Sequence, residues 1–298
     1  MPFVKQNFNI KEPIKATLFL RNTFNISIKE SQKIIDKGRI KKDGKAFLQK
    51  SGVLHGNVEI STFVASDIKV EPMFRTSDFA LFDKPSKMLI HPKGNFHHIS
   101  LLDAIRFHFG VNANPVHRLD KETSGLVLVG LNKKSETQLK IMFQEQKITK
   151  EYIACVMGRI NNCIIDANIL EQDKSMNLGI KSLIHNKGKK SITKIEVIKH
   201  NKSTTLIKAY PLTGRTHQIR IHLSHIGHRI LGDYLYGVKE NLSKDYLDGK
   251  IRESERKKYF GSSRLMLHAS ALSFNFDNTT YYIKSHSNEL EKYLNLML

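Results

Sequence analysis

Apolar and polar positions follow one rhythm near the start of this chain and another beyond it. Ile14, Leu18, Phe19 and Leu20 begin an apolar face at helical spacing. Ser27-Ile28-Lys29-Glu30 has the form of a capping box, in which the serine oxygen accepts the amide three residues on and the glutamate reaches back. Ile28, Ile34 and Ile35 are predicted as the inward face of that second helix, closed at Gly38, where a helix end favours a left-handed residue. Asp43-Gly44 predicts a tight hairpin, and Val58-Glu59-Ile60 a closing strand. From Asp78 onward Phe79-Ala80-Leu81-Phe82 and Leu126-Val127-Leu128-Val129 read as buried strands, with a helix predicted over Ser135 to Gln144. Strands and helices mixed in this way argue for an α+β layered fold. The expected organisation is a small domain over 10–62, a linker strand over 63–77 and a larger domain over 78–298.

A length of 298 residues fits about two domains. No apolar run approaches the roughly 20 residues that span a bilayer, and the opening residues lack the apolar core of a signal peptide, so a cytoplasmic protein is expected. Cys155 and Cys163 supply neither a disulfide framework nor a metal knuckle. The net charge of +20 changes the picture, because it favours a polyanionic partner, nucleic acid before an anionic membrane. A generally lysine-rich proteome is the bland alternative. Lys29, Lys33, Lys37, Arg39, Lys41, Lys42 and Lys45 gather around the second predicted helix and its turn. They form either a solvated face or an edge that tracks phosphates by displacing condensed counterions.

Two segments carry candidate chemistry. In His117-Arg118-Leu119-Asp120-Lys121-Glu122-Thr123-Ser124-Gly125 an acid sits among cations, hydroxyls and a glycine, directly before an apolar strand. Asp120 is there either to cap a turn or, kept ionised by its cationic neighbours, to act as a nucleophile. In Leu212 to Leu223, Thr216 is predicted to cap a helix that carries Ile219 and Leu223 inward. Arg215 and Arg220 stand about 140° apart on such a helix, so they cannot both face one site. Arg215 is the better placed for a cleft, which leaves Arg220 for backbone phosphates. His217, His222, His225 and His228 invite a metal reading, but no cysteine or paired carboxylate lies near them in sequence, which favours packed or RNA-facing rings. Neither cysteine has a neighbouring histidine that would activate it.

The first sixty residues resemble the small RNA-binding domain first seen in ribosomal protein S-four, through Gly38, Ile40 and Asp43-Gly44. That family's usual Arg-Leu-Asp opener is absent, and its Ser-Arg pair is Ser27-Ile28 here. The remainder resembles the RluA-like RNA pseudouridine synthases, in the branch acting on the large ribosomal subunit. His117-Arg118-Leu119-Asp120 with Thr123-Ser124-Gly125 is similar to the family's catalytic signature. Lys84-Pro85 with His91-Pro92, Lys150-Glu151-Tyr152, Gly214 to Arg220, Gly232-Asp233 with Tyr236-Gly237, and Leu267-His268-Ala269 match further motifs in the family's order. Glu122 stands for a more usual Asp, Ser86-Lys87 for Ala-Gly, and Arg229 for Pro; the charged stretch from Lys239 to Lys258 is expected to be a solvated helical insertion.

The resemblance implies a curved, mainly antiparallel sheet and the conversion of uridine to pseudouridine, in which the N1–C1′ bond breaks and C5 joins C1′. It implies that Asp120 is the nucleophile or base at the sugar, that Arg215 pairs with it, and that Tyr152 stacks on the uracil with Leu267 beside the base. Arg118, Lys150 and Arg220 are expected at the substrate, with Arg118 holding phosphate or helping to open the helix. No cofactor and no metal is required. The expected partner is ribosomal RNA, with transfer RNA as runner-up, and the chain is expected to be a monomer. A ribosome-assembly protein on a retired synthase fold is the rival from another class, and a metal-dependent RNA hydrolase a distant third.

Overall fold

A computed structural model describes residues 3–92, 99–171 and 181–287. The predicted end of the second domain, 288–298, lies outside them. The chain separates into two compact units, one running to Ile68 and including His91–Asp103, the other comprising Lys69–Ile90 and the chain from Ala104 onward.

In the first unit β1 (Phe3–Lys15) leads into α1 (Ala16–Phe24), α2 (Ile28–Asp36), β2 (Ile40–Lys42), β3 (Lys45–Ala46) and β4 (Val53–Phe63). The sheet order is β1-β4-β2-β3. Both halves of the capping box form: Glu30 N donates to Ser27 Oγ at 3.2 Å, and Ser27 N to Glu30 Oε2 at 2.9 Å. Asp43 and Gly44 take φ of +52° and +75°, the left-handed pair that a two-residue hairpin turn needs. Ile10, Ala16, Leu20, Ile35, Ile40, Leu54, Val58 and Ile60 make the core. Three apolar positions depart from the expected helical faces, Leu18 being 43% exposed on α1. Ile14 belongs to β1, and Ile28 is 53% exposed, because a side chain in the first helical turn leans back toward the N-terminus and past the end of the core.

The second unit begins with β5 (Pro72–Arg75), inside the stretch read as a linker strand, and β6 (Phe79–Lys84). After α3 (Leu101–Phe109), whose residues from Ala104 belong to this unit, come β7 (Asn114–Pro115), β8 (Ser124–Gly130), α4 (Lys133–Gln144), β9 (Thr149–Met157), β10 (Cys163–Asp166), β11 (Ile169–Glu171), β12 (Ser182–Ile184), β13 (Ile192–His200) and β14 (Thr204–Pro211). Then follow α5 (Gln218–His225), α6 (Glu240–Leu247), α7 (Arg256–Phe260), β15 (Leu267–Phe276) and β16 (Thr279–Lys284). A mainly antiparallel sheet runs β10-β13-β14-β9-β15-β8-β6-β5, with β16 on β15 and β7 on β8, so the fold is α+β. Every residue of β8 is buried, as its unbroken apolar run requires of a central strand with both faces covered.

Strands β8 and β15 run parallel, with His268 opposite Ser124 and Ala269 opposite Gly125. Gly125 has φ +109°, and a Cβ there would meet the Ala269 carbonyl oxygen at 2.3 Å. This close approach fixes where the 117–125 loop enters the sheet. The loop's other end is pinned by His117, whose Nε2 accepts the Leu128 amide at 2.9 Å while its ring stacks on Phe143 at 4.5 Å. Burial, and secondarily Lys150, lower the pKa of His117 to about 3, in keeping with a ring nitrogen that must remain an acceptor.

Two outcomes follow for stability. Gly125→Ala, which adds both a clash and a left-handed penalty, is expected to cost more than about 3 kcal/mol, measured as a shift in urea midpoint. Between pH 6.5 and 3 the unfolded chain binds a proton at His117 that the folded chain refuses, so this residue's contribution declines as pH falls, by at most about 1.4 kcal/mol per pH unit. His117→Gln, which retains an acceptor, should flatten that part of the stability profile.

Candidate active site

The 117–123 loop, the start of β9, the turn between β14 and α5, and the first residue of β15 close around a cavity of about 440 Å³. Its lining includes Arg118, Asp120, Lys150, Tyr152, Arg215, His217, Arg220 and Leu267. The three motifs that supply the acid, the tyrosine and the arginines therefore converge on one space. A larger surface groove of about 900 Å³, along Lys133 to Lys147 with Asn275, holds none of these residues.

Asp120 is partly exposed at this cavity, and its Oδ2 lies 3.2 Å from Arg220 Nη1. The expectation that Arg215 pairs with Asp120 is thus corrected: the partner is Arg220. So is the assignment of Arg220 to backbone phosphates, because its side chain is only 3% exposed and its fork is occupied. Nε and Nη2 donate to Asp233 Oδ2 and Oδ1 at 2.8 and 2.9 Å. The physical reason is the start of the helix. Residues 213–217 form a turn and α5 opens only at Gln218, so Arg220, one turn inside, faces the loop that carries Asp120. Arg215, outside the helix, lines the cavity and donates through Nε to the Lys190 carbonyl at 3.4 Å.

Burial disfavours charge on Arg220 and Asp233, but their pairing prevails. Arg220 and the amides of Leu235 and Tyr236 hold Asp233 below its ordinary range, and Asp233 followed by Asp120 holds Arg220 above its own. Asp233 thereby anchors the guanidinium, and the guanidinium offers its remaining face to Asp120.

Thr216 does not cap α5. His217 occupies that position in the left-handed conformation, φ 57° and ψ 19°, with no capping hydrogen bond from its side chain, and Thr216 Oγ1 donates to Glu171 instead. Gln218 holds the turn: its Oε1 accepts Thr213 Oγ1 and Arg215 N, while its Nε2 donates to Ile192 O and Thr193 Oγ1. Ile219 and Leu223 do face inward. Lys150 Nζ donates to the Thr213 carbonyl at 2.9 Å, and burial lowers its pKa to about 8. Burial, then the Asp120 charge, push the Tyr152 hydroxyl above the ordinary phenol range, so this ring stays neutral. Among the other histidines His222 is satisfied by Thr193 and Ala167, and His228 by the Met157 carbonyl. Among the described residues no group of three or more His, Cys, Asp or Glu is arranged to hold a metal ion.

The loop that carries Asp120 is held from behind. Fully buried Lys84 donates to the carbonyls of Pro85, Met88 and Lys121, Ser86 Oγ donates to the Glu122 carbonyl, and Glu122 meets Arg256 at 2.6 Å. Arg264 donates to Ser124 Oγ, which bonds His268 Nδ1 at 2.8 Å; His268 Nε2 continues to Ser285, and Ser285 to Asp83. The stretch from Lys239 to Lys258 is not merely solvated, because Arg256 within it is fully buried under Tyr234 and Tyr246. Two of the residues that depart from the resembled family's pattern meet this insertion, and a third meets Phe260 just beyond it. Lys87 pairs with Glu253, Glu122 with Arg256, and Arg229 donates to the Phe260 carbonyl at 3.2 Å. Lys87 adopts φ +68°, a left-handed conformation that glycine would take without strain.

On the first unit Lys29, Lys33, Lys37, Lys41 and Lys45 are exposed, with Arg39 and Lys42 half-buried. Partial burial first, then Arg39 and Lys33, lower the pKa of Lys37. The cations are thus close enough to feel one another.

Sequence comparison supplies the family. Residues 78–225 match the model of the RNA pseudouridylate synthase family. An RNA pseudouridine synthase of Helicobacter pylori (strain ATCC 700392 / 26695) is 44% identical over 96% of this chain and 94% of its own length. The ribosomal large subunit pseudouridine synthase D of Pseudomonas aeruginosa is 31% identical over 68% of this chain and 67% of its own. Among solved structures, human RNA pseudouridylate synthase domain containing 1 superposes with a TM-score of 0.59 at 25% identity, covering 76% of this chain and 86% of its own. With a cavity that unites the acid, tyrosine and arginine motifs, and a relative matching almost end to end, the chain belongs to the RNA pseudouridine synthase family.

Proposed function

We propose that this enzyme isomerises uridines of large-subunit ribosomal RNA, with Asp120 acting at the ribose of an extruded nucleotide. The observation that carries the reading is the carboxylate of Asp120, partly open to a nucleoside-sized cavity and backed by a buried arginine. An ionised carboxylate is what either route needs, whether it adds to C1′ or removes a sugar proton. Arg220 Nη1 meets that carboxylate at 3.2 Å in a charge-assisted hydrogen bond. It also withholds its full charge from Asp120, because Asp233 shares the guanidinium.

Tyr152 is neutral, so its ring offers a stacking surface for uracil and its hydroxyl a proton donor and acceptor. Leu267, buried at the start of β15, supplies an apolar wall beside the base. Arg118, Arg215 and Lys150 line the same cavity and carry cationic donors for phosphate and sugar oxygens. Arg118 is exposed at the rim, where it meets a flanking phosphate or fills the gap that the extruded base leaves. Extrusion costs a few kcal/mol, and cationic contacts to the backbone offset it. The ribosomal assignment is supported by the similarity to large-subunit synthases and by the basic edge of the first unit, whose Lys29, Lys33, Lys37, Arg39, Lys41, Lys42 and Lys45 we assign to RNA backbone contacts.

Tritium release from C5-labelled uridine in large-subunit rRNA, taken from a strain lacking this gene, tests the chemistry. Asp120→Asn is expected to lower release by about 10³-fold or more while RNA affinity stays within a few-fold; wild-type turnover in that variant would refute the role of Asp120. Replacing Lys29, Lys33, Lys37, Lys41 and Lys45 together by Gln should weaken RNA binding about tenfold or more at moderate salt and flatten its salt dependence. Turnover at saturating RNA should change less than about threefold.

A further inference from the structure

His217 has a conformation and a set of partners that the chemistry above does not use. It is a non-glycine residue in the left-handed region at the opening of α5, which costs on the order of 1–3 kcal/mol and persists only where the surroundings over-determine it. Its ring packs edge-on against Tyr236, with centroids 5.6 Å apart. Nδ1 lies 3.0 Å from the Tyr236 hydroxyl, and on the opposite side Nε2 lies 3.7 Å from Asp120 Oδ1. Asp120 therefore has the Arg220 guanidinium at one oxygen and an imidazole nitrogen at the other.

Both ends of the ring favour the same tautomer. Burial pushes the Tyr236 hydroxyl up to about 12, so it keeps its proton. It accepts the Ser182 amide at 2.8 Å and can donate to Nδ1. At the other end a bare Nε2 lone pair would face a carboxylate oxygen, which is repulsive, whereas an N–H there is attractive. Burial lowers the pKa of His217, Arg220 and Arg118 act in the same direction, and Asp120 and Asp233 oppose them. The ring is thus neutral near pH 7.

We propose that His217 is a positioning residue for Asp120, presenting a neutral Nε2–H toward Oδ1 while Arg220 holds Oδ2, with Tyr236 selecting the tautomer. At 3.7 Å the interaction is dipolar rather than a formed hydrogen bond. It orients the carboxylate plane without neutralising the charge that the reaction needs, as a second cation would. Tyr236 is tied to the same frame, because its amide donates to Asp233 Oδ1, the acid that anchors Arg220. The proposal rests on Asp120 being the reacting group.

Two substitutions of matched length separate orientation from packing. His217→Gln can place an N–H where Nε2–H stands, whereas His217→Met fills similar space without a donor, and both carry the same left-handed backbone. On the labelled rRNA, Gln is expected to retain kcat within about fivefold and Met to lose about thirtyfold or more, with KM within about threefold for both and closely similar melting temperatures. Equal kcat in the two variants would overturn the proposal. Nitrogen-15 NMR of the wild-type protein, with the His217 signals identified by their loss in His217→Gln, should show a neutral Nε2–H tautomer at pH 7. An Nδ1–H tautomer or an imidazolium would likewise overturn it. If the wild-type enzyme releases no tritium from this RNA, the substrate assignment fails, and the NMR result still decides the state of His217.

Discussion

One buried guanidinium organises the catalytic unit. Arg220 sits between Asp233, which saturates two of its donors, and Asp120, which takes a third. A cation this deep is tolerable only because its charge is met on both sides, and removing either acid would leave it partly uncompensated in a poorly solvated place. The geometry of the site follows from that constraint. Asp233 must be held, and the amides of Leu235 and Tyr236 hold it; Asp120 must approach from a loop on the opposite side, and the parallel contact of β8 with β15 sets where that loop enters. The two acids differ in exposure: Asp233 is 1% exposed, whereas the Asp120 side chain retains 25% and opens to the cavity.

The supports behind the 117–125 loop show how a carboxylate on a loop is given the precision of one on a strand. Backbone carbonyls of Lys121 and Glu122 are captured by Lys84 and Ser86, and the Glu122 side chain meets Arg256 from the insertion. Glu122 and Lys87 reach Arg256 and Glu253 of the insertion, and Arg229 reaches the Phe260 carbonyl just beyond it.

The order of side chains carried much of this. Motif residues far apart in the chain were already recognisable as one constellation from their types and order, and the convergence of Asp120, Tyr152, Arg215 and Leu267 on a single cavity accords with that reading. The capping box at Ser27, the Asp43-Gly44 turn and the buried run of β8 were legible for the same reason: each depends on neighbours within a few residues. The partner of Asp120 was not. Helical spacing misled here: it said that Arg215 and Arg220 could not share a site, yet both line one cavity, because a left-handed His217 in place of a Thr216 cap starts the helix at Gln218 and leaves Arg215 outside it.

The chain's own sequence thus determined the fold class, the basic edge of the first unit and the motif segments that line the cavity, because propensity, patterning and charge are properties of short segments. Tertiary structure alone decided that Arg220 is the counterion, that Asp233 anchors it while Tyr236 meets His217, and that Arg256 lies buried rather than in solvent. Each of those outcomes is set by electrostatic balance between residues tens of positions apart, and no local period or motif spacing records which buried charge will meet which.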